Sequence, residues 1–445
     1  MSPALVRQLD ELIRQRAGEL GVPGVAVGVV GPGIEHRLGV GHPTPGDARP
    51  VDATTLFQIG SVSKPLTSLL VDSLLADGLL EPHTRLSAVL GDHGLPDVTI
   101  TDLLAHRFGI DGDALLSRPP DPPTPEGAVA ALERADRLGT PGGPFSYSNA
   151  AYSVLGRVVE VVDSRPFAES LRRRVTRPLR MRRTVTTADE AVTGVVALPH
   201  QSHPDGAEPI PGGMGWQPRW ELGAHDTAPA GIISCLDDLL GLISSLLDPD
   251  AQGRTPMSAD RLAALWEPVV DVGPGESMAS GWLIRSVGGV TVVGHPGVTA
   301  GYCTLLSLVP SLGLGWIVLT NGTAGSVLHG DVDELLLRHL AGVVATPDDG
   351  VPSGEAGAAA GRYVGGLGVT TITAESPGST LSMVDEPRDD GRWQPFPSPP
   401  ATVERRGDLL VGTDADGRSV SVPLVVVGDR VVAIRRGRRL RERQG

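Results

Sequence analysis

Lysine is almost absent from this chain: of its 38 basic side chains, all but Lys64 are arginine. Aromatic residues are scarce too, at 3% of 445 residues, and there are only two cysteines, Cys235 and Cys303. Two cysteines without metal-like spacing exclude a disulfide-dense scaffold and a cysteine-built metal centre, so both are expected to be free thiols in a core. Positive charge is in deficit, since 52 acidic side chains bring the net charge to −14. Binding phosphate backbones needs a net basic face, so no nucleic-acid partner is expected. No run approaches ~18 uninterrupted apolar residues, so neither a membrane span nor a membrane partner is expected. Met1 to Leu20 places Leu5, Leu9, Leu12 and Ile13 on one helical face but is interrupted by Arg7, Asp10, Glu11, Arg14 and Arg16. Without a basic stretch followed by an apolar core, it does not read as a signal peptide, and the expected location is cytoplasmic.

What is present is the make-up of a folded chain, 40% hydrophobic and 20% charged. Its length exceeds the usual single-domain range and points to one large domain with a smaller companion. Gly24 to Val30, a Gly31-Pro32-Gly33 turn and Ile34 to Val40 read as a β-hairpin. Thr55 to Ile59 leads into a helical pattern from Ser61 to Asp77, with Leu66, Leu69, Leu70, Leu74 and Leu75 at helical spacing. Further helices are expected over Ile100 to His106, Ala150 to Val162, Pro166 to Val175 and beyond Gly231, and strands over Val290 to Val293, Tyr302 to Val309 and Gly315 to Leu319. Strands at both ends of a helical middle predict an α+β architecture, one antiparallel sheet built from the two chain ends with helices on both sides. The small, polar stretch Pro347 to Ala360 reads as a linker, which divides the chain into residues 1–345, a linker at 346–360 and a β domain at 361–445. In that last part, Thr371 to Ala374, Thr380 to Val384, Asp408 to Val411, Ser419 to Val427 and Arg430 to Ile434 alternate as short strands of a small barrel or sandwich. The basic run from Arg435 to Arg443 reads, for most of its arginines, as a solvated tail after the last strand.

The arginine bias, with abundant Ala, Gly, Pro and Val, looks like a high-GC codon effect. A lysine kept under such a bias marks a site where arginine cannot substitute. Ser61-Val62-Ser63-Lys64 has the S-x-x-K form, which brings a hydroxyl and an amine onto one helical face. The helix N-terminus adds a partial positive charge and a backbone N–H suited to an oxyanion on the acylated serine. Burial can lower a lysine pKa until the amine accepts the serine proton, which arginine cannot do. Standing alone, the motif is better read as an N-cap followed by a solvated lysine, since serine is common. Two more motifs change that balance. Tyr147-Ser148-Asn149 follows a Gly/Pro turn and precedes a helix, so a phenol for proton transfer and a carboxamide for a substrate amide stand together. His295-Pro296-Gly297 is expected to end a strand, with Gly297 allowing close approach of a substrate backbone and Val298 N–H serving as second oxyanion donor beside Ser61 N–H.

In that combination the chain resembles the penicillin-binding-protein and serine β-lactamase superfamily, in its class C-like esterase and D-peptidase branch. The three motifs are Ser61-x-x-Lys64, Tyr147-x-Asn149 and His295-Pro296-Gly297, the last standing where Lys-Thr-Gly is usual. LFQIGSVSKPLTSLLV (Leu56 to Val71), YSNAAYSVLGRVVE (Tyr147 to Glu160) and GHPGVTAGYCTLLSLVP (Gly294 to Pro310) carry the likeness, which extends over roughly Val22 to Gly322. His106-Arg107-Phe108-Gly109 stands where relatives often show His-Thr-Ser-Gly. The resemblance implies a β-lactamase/transpeptidase-like sheet flanked by helices with a helical lobe, and a Ser61 acyl-enzyme with Lys64, Tyr147, Asn149 and His295 at the site. No metal and no cofactor are implied. Length, third motif and C-terminal β domain look like the stand-alone penicillin-binding-protein-type thioesterases. These take a peptidyl group from a carrier-protein thioester and release it by head-to-tail macrolactamisation. On that model the last domain is a lipocalin-like barrel and Arg436, or Arg435 in its place, is a clamp for a substrate carboxylate. A carboxylesterase or D-amino-acid amidase or peptidase of the same fold, acting on a small acyl or peptide substrate with water as acceptor, is the alternative. A catalytically idle binding relative is a third reading, against which the intact Ser61, Lys64 and Tyr147 speak.

Overall fold

A computed structural model of the chain describes residues 1–210, 221–249, 257–343, 356–365, 368–374, 380–386, 400–415, 419–427, 430–436 and 438–444. The chain forms two compact units: Met1–Pro82 with Leu155–Val269 and Gly275–Ala345, and His83–Val154 with Val270–Pro274 and Thr346–Gly445.

The first unit is built on an antiparallel sheet. In order across it run Ile34–Gly41, Gly24–Gly31, Leu314–Thr320, Tyr302–Val309, Val290–Thr299, Leu283–Val287 and Glu276–Met278. The expected hairpin closes with Gly31 opposite Ile34, and the two ends of the unit meet where Val25 pairs with Thr320. Both sheet faces are covered, so the central strands read as continuous apolar runs rather than alternating ones. On one face lies Pro3–Glu19, capped by Ser2 with Pro3 in its first turn, which turns Leu5, Leu9, Ile13 and Ala17 inward at four-residue spacing. It packs with Gly325–Leu340 in a single core that includes Val27, Trp316 and Leu336. Leu236–Leu247 covers the other face.

The second unit holds the short helices Ile100–Leu104 and Pro125–Leu132 and the start of Asn149–Asp163. It also holds a closed barrel of consecutive antiparallel strands, from Gly361–Gly365 to Arg439–Arg443, in which Tyr363 pairs with Arg443 to complete the ring. Closure leaves no free sheet edge, which matters for strands this short. The architecture is thus the expected α+β one, an antiparallel sheet flanked by helices, plus a C-terminal closed barrel.

Three expectations are corrected. The run Arg435 to Arg443 is not a solvated tail: Arg439–Arg443 is the barrel's last strand, with Leu440 and Arg441 buried. Arginines on both faces conceal the period of two that marks a strand. Ser61 precedes the helix instead of opening it, because Gly60–Val62 is a 3-10 turn and the α-helix is Ser63–Ala76. His295-Pro296-Gly297 lies inside the strand Val290–Thr299 rather than at its end. Pairing to Leu283–Val287 stops at Gly294, so one side of the strand is an edge from His295 onward, where a proline is tolerated. Of the linker, residues 346–355 lie outside the described residues.

Candidate active site

The 3-10 turn places residues three apart in register, and this brings Ser61 and Lys64 together. Lys64 Nζ donates to Ser61 Oγ at 3.2 Å and to the Pro229 carbonyl at 2.9 Å, and Lys64 has no exposed surface. The supports on either side are backbone. Before the serine, Leu56–Gln58 pairs with Ile233–Cys235 and Ile59 N–H donates to Ile232 O. After it, Ile232 N–H donates to Ser63 Oγ at 3.2 Å and Thr67 Oγ1 donates to Ala228 O at 2.8 Å. The segment Ala228–Ile232 therefore clamps the first turns of the helix and supplies the carbonyl that holds the amine.

The third motif lies against this turn. Gly60 has φ +54°, and a Cβ there would stand 2.7 Å from Val298 N. A Cβ on Gly297 would fall 2.2 Å from Ile59 O and 3.2 Å from Ser61 N. Only glycine at both positions lets the two backbones approach so closely. The Ser61 and Val298 amides, the pair singled out as oxyanion donors, are neighbours for this reason, while the Val298 side chain is exposed. His295 is buried, and its Nδ1 lies 2.6 Å from the Pro296 carbonyl.

Tyr147 and Asn149 belong to the second unit. Tyr147 is buried, with its ring stacked on His106 at a centroid distance of 4.4 Å. His106 is fully buried in the left-handed backbone region at φ 58°. Its Nδ1 accepts from Ser148 N–H at 2.9 Å, which places the ring proton on Nε2. Ser148 Oγ accepts from Ala151 N–H, so the serine caps the helix that Asn149 begins. Asn149 Nδ2 donates to Asp113 Oδ1 at 2.9 Å. The same carboxylate pairs with Arg439, whose Nη2 stands 3.1 Å from Asp113 Oδ1 and whose guanidinium carbon lies 5.2 Å from the Tyr147 ring centroid. Burial works against the Arg439 charge, but Asp113 outweighs it and raises the guanidinium above its usual value.

Asp113, Arg439 and the role of His106 were not read from the sequence. His106 stood in a motif position already noted; Asp113 and Arg439 carry no local signal. Of the two arginines proposed as clamp, Arg435 donates to the Val272 carbonyl at 3.1 Å, and the Arg436 side chain lies outside the described residues. Arg107 and Phe108 support the lobe, the first donating to Gly143 O at 2.9 Å and the second fully buried. The thiols offer no competing nucleophile. Both are free and buried, and burial pushes Cys235 up to about 12 and Cys303 up to about 11. Among the described residues no cluster of His, Cys, Asp or Glu could hold a metal ion, and no helix is long and apolar enough to cross a membrane.

Comparison with known proteins places this geometry. The Beta-lactamase family model matches residues 9–341. Penicillin-binding protein 4 of Amycolatopsis lactamdurans is 31% identical over 338 residues, covering 72% of this chain and 87% of that protein. The chain belongs to the β-lactamase and penicillin-binding-protein family. A more distant member, unguisins hydrolase ungD of Aspergillus violaceofuscus, is 25% identical over 350 residues, 69% of this chain and 60% of its own. Among solved structures, the crystal structure of SurE matches with a TM-score of 0.77 at 22% identity, over 99% of both chains. The octameric penicillin-binding protein homologue from Pyrococcus abyssi follows at 0.65 and 22%, over 96% of this chain and 98% of that one. The family's common chemistry makes this protein a serine hydrolase or acyltransferase.

Proposed function

We propose that Ser61 is the nucleophile and that the protein releases a peptide from a carrier-bound thioester by head-to-tail macrolactamisation. The observation that carries the serine chemistry is the Lys64 Nζ to Ser61 Oγ hydrogen bond from a lysine with no exposed surface. Burial removes the water that would stabilise an ammonium charge, which favours the amine as the acceptor of the serine proton. As Oγ bonds to the thioester carbon, its proton passes to Lys64 Nζ and the carbonyl oxygen becomes an oxyanion, received by the Ser61 and Val298 amides. Collapse breaks the carbon–sulfur bond, and the thiolate takes up the proton that Lys64 received from Ser61, with Tyr147 assigned to that transfer. The peptide's own amine then attacks the Ser61 ester and gives up a proton to Lys64 as the C–N bond forms; the C–Oγ bond breaks, and Oγ takes that proton from Lys64. Asn149 is assigned to a substrate amide and His295 to the third-motif position. A D-configured residue in the substrate is supported by the full-length match to the crystal structure of SurE with D-Leu, at TM-score 0.74 and 22% identity.

Hydrolysis is the second reading, favoured by the relative named as a hydrolase. It differs only in water replacing the amine as acceptor. A fluorophosphonate probe followed by intact mass tests the nucleophile: one adduct on wild type and none on Ser61→Ala is expected. A peptidyl thioester with a D-configured C-terminal residue, run beside a p-nitrophenyl ester, tests the acceptor. Cyclic peptide as main product supports the cyclase, whereas ester turnover with only linear acid from the thioester rejects it in favour of a hydrolase.

A further inference from the structure

We propose that Arg439, carried by the last hairpin of the barrel, is a positioning residue for the Tyr147–Asn149 motif, acting on Asn149 through the Asp113 carboxylate and on Tyr147 by stacking over its ring. The inference deepens the reading of Ser61 as an acylated nucleophile and rests on it.

The hairpin Arg430–Arg436 and Arg439–Arg443 is tied to the lobe by its backbone and its side chains. Tyr147 N–H donates to the Arg438 carbonyl at 2.9 Å, Leu440 N–H to Ser146 Oγ at 3.1 Å, and Gly139 N–H to Glu442 Oε1 at 2.9 Å. Arg438 sits at φ 64°, a left-handed backbone that a non-glycine residue adopts at a cost of about 1 kcal/mol. That conformation is held at the point where the hairpin meets Tyr147.

Asp113 decides which way the Asn149 amide faces. Its side chain is 2% exposed, and as a carboxylate it can only accept. It accepts from Arg439 and from Asn149 Nδ2, so the amide turns its nitrogen to the carboxylate and its Oδ1 away from it, the orientation in which Oδ1 can accept a substrate N–H. Without Arg439 the carboxylate would be a buried charge without its cation, and the side chain that orients the Asn149 amide would no longer be held in place. A displaced Asp113 allows the Asn149 amide to flip and present Nδ2 to the substrate. Substrates whose amide N–H needs an acceptor would then suffer most.

Arg439→Ala and Arg439→Lys, each in the wild-type and the Asn149→Ala background, provide the test, with thermal melts and near-ultraviolet dichroism checking the fold. Two substrates are compared: p-nitrophenyl acetate, which has no amide, and an N-acyl-D-alanyl thioester. Arg439→Ala is expected to lower kcat/KM for the amide substrate about tenfold more than for the acetate, the effect of one misdirected hydrogen bond in a buried site. Arg439→Lys is expected to restore part of that ratio, and in the Asn149→Ala background Arg439→Ala should leave the ratio unchanged. Equal losses on both substrates, or an undiminished ratio effect without Asn149, overturns the inference while leaving Ser61 chemistry intact. Should Arg439→Ala fail to fold, Arg439→Gln, which removes the charge at similar length, carries the comparison, and a ratio equal to wild type in it overturns the proposal. Absence of a fluorophosphonate adduct on wild type brings down the underlying reading and this inference together.

Discussion

A buried amine that donates to the Ser61 hydroxyl and to the Pro229 carbonyl is placed to exchange a proton, and the identity of that amine is testable. Arginine at position 64 keeps the charge and its helix propensity but is effectively always protonated. Lys64→Arg is therefore expected to lose Ser61 acylation by about 10³-fold, within the range of a positioned general base. Time-resolved mass spectrometry of the fluorophosphonate adduct reads this directly, and near-normal labelling would remove Lys64 from the mechanism. At this scale the sequence was legible wherever the chemistry dictates residue types at short spacing. Ser61 and Lys64 are three apart, and Tyr147 and Asn149 two apart, so each pair is visible as text. Asp113 and Arg439 lie 326 positions apart and become a pair only once the barrel has closed. A carboxylate and an arginine among 52 acidic and 38 basic side chains carry no mark of such a partnership.

At the scale of elements, the apolar strands and helices were readable because burial imposes a period on them, as in Leu5, Leu9 and Ile13. Ala401–Arg406 and Arg439–Arg443 were hidden because their charged residues interrupt that period. The helix Gly325–Leu340, which packs against Tyr302–Val309, carries a consequence of its own. It buries His329, and burial lowers that histidine from 6.5 to about 3. Between those values the unfolded chain binds the proton and the native protein does not, so the unfolded state holds more protons. Stability is thus fully present above pH 6.5 and falls as pH drops toward 3, by on the order of a few kcal/mol for this group. His329→Leu removes the titration at similar volume. Urea melts of the two proteins at pH 7 and pH 4.5 should show a smaller acid-induced loss in the variant. Parallel losses would mean that other groups account for the acid sensitivity.

For the whole molecule, the sheet and the barrel each enclose a separate hydrophobic core, one including Leu9, Trp316 and Leu336, the other Tyr363, Met383 and Val422. Separate cores in the two compact units argue against a single two-state transition. The barrel also encloses an ion pair: Arg441 Nη1 stands 2.8 Å from Asp385 Oδ1, which also accepts from Thr370 Oγ1 at 2.7 Å, and the Asp385 side chain is 1% exposed. Replacing such a pair with apolar residues can be neutral, but removing one partner of a buried pair costs about 3–5 kcal/mol. Asp385→Ala should therefore lower one calorimetric transition by many degrees. The same variant gives that transition its assignment, because amide exchange in Gly368–Ala374 and Thr380–Glu386 should accelerate with it while Leu314–Thr320 in the sheet stays protected. If both regions lose protection together and a single transition moves as a whole, the barrel and the sheet fold as one cooperative unit. In that case a destabilised barrel would carry the Ser61 site down with it, and Asp385→Ala would lose adduct formation at the temperature where the barrel melts. If the transitions separate, Ser61 labelling should persist above the melting point of the barrel, while turnover of the amide substrate, which depends on Arg439, should fail at that point.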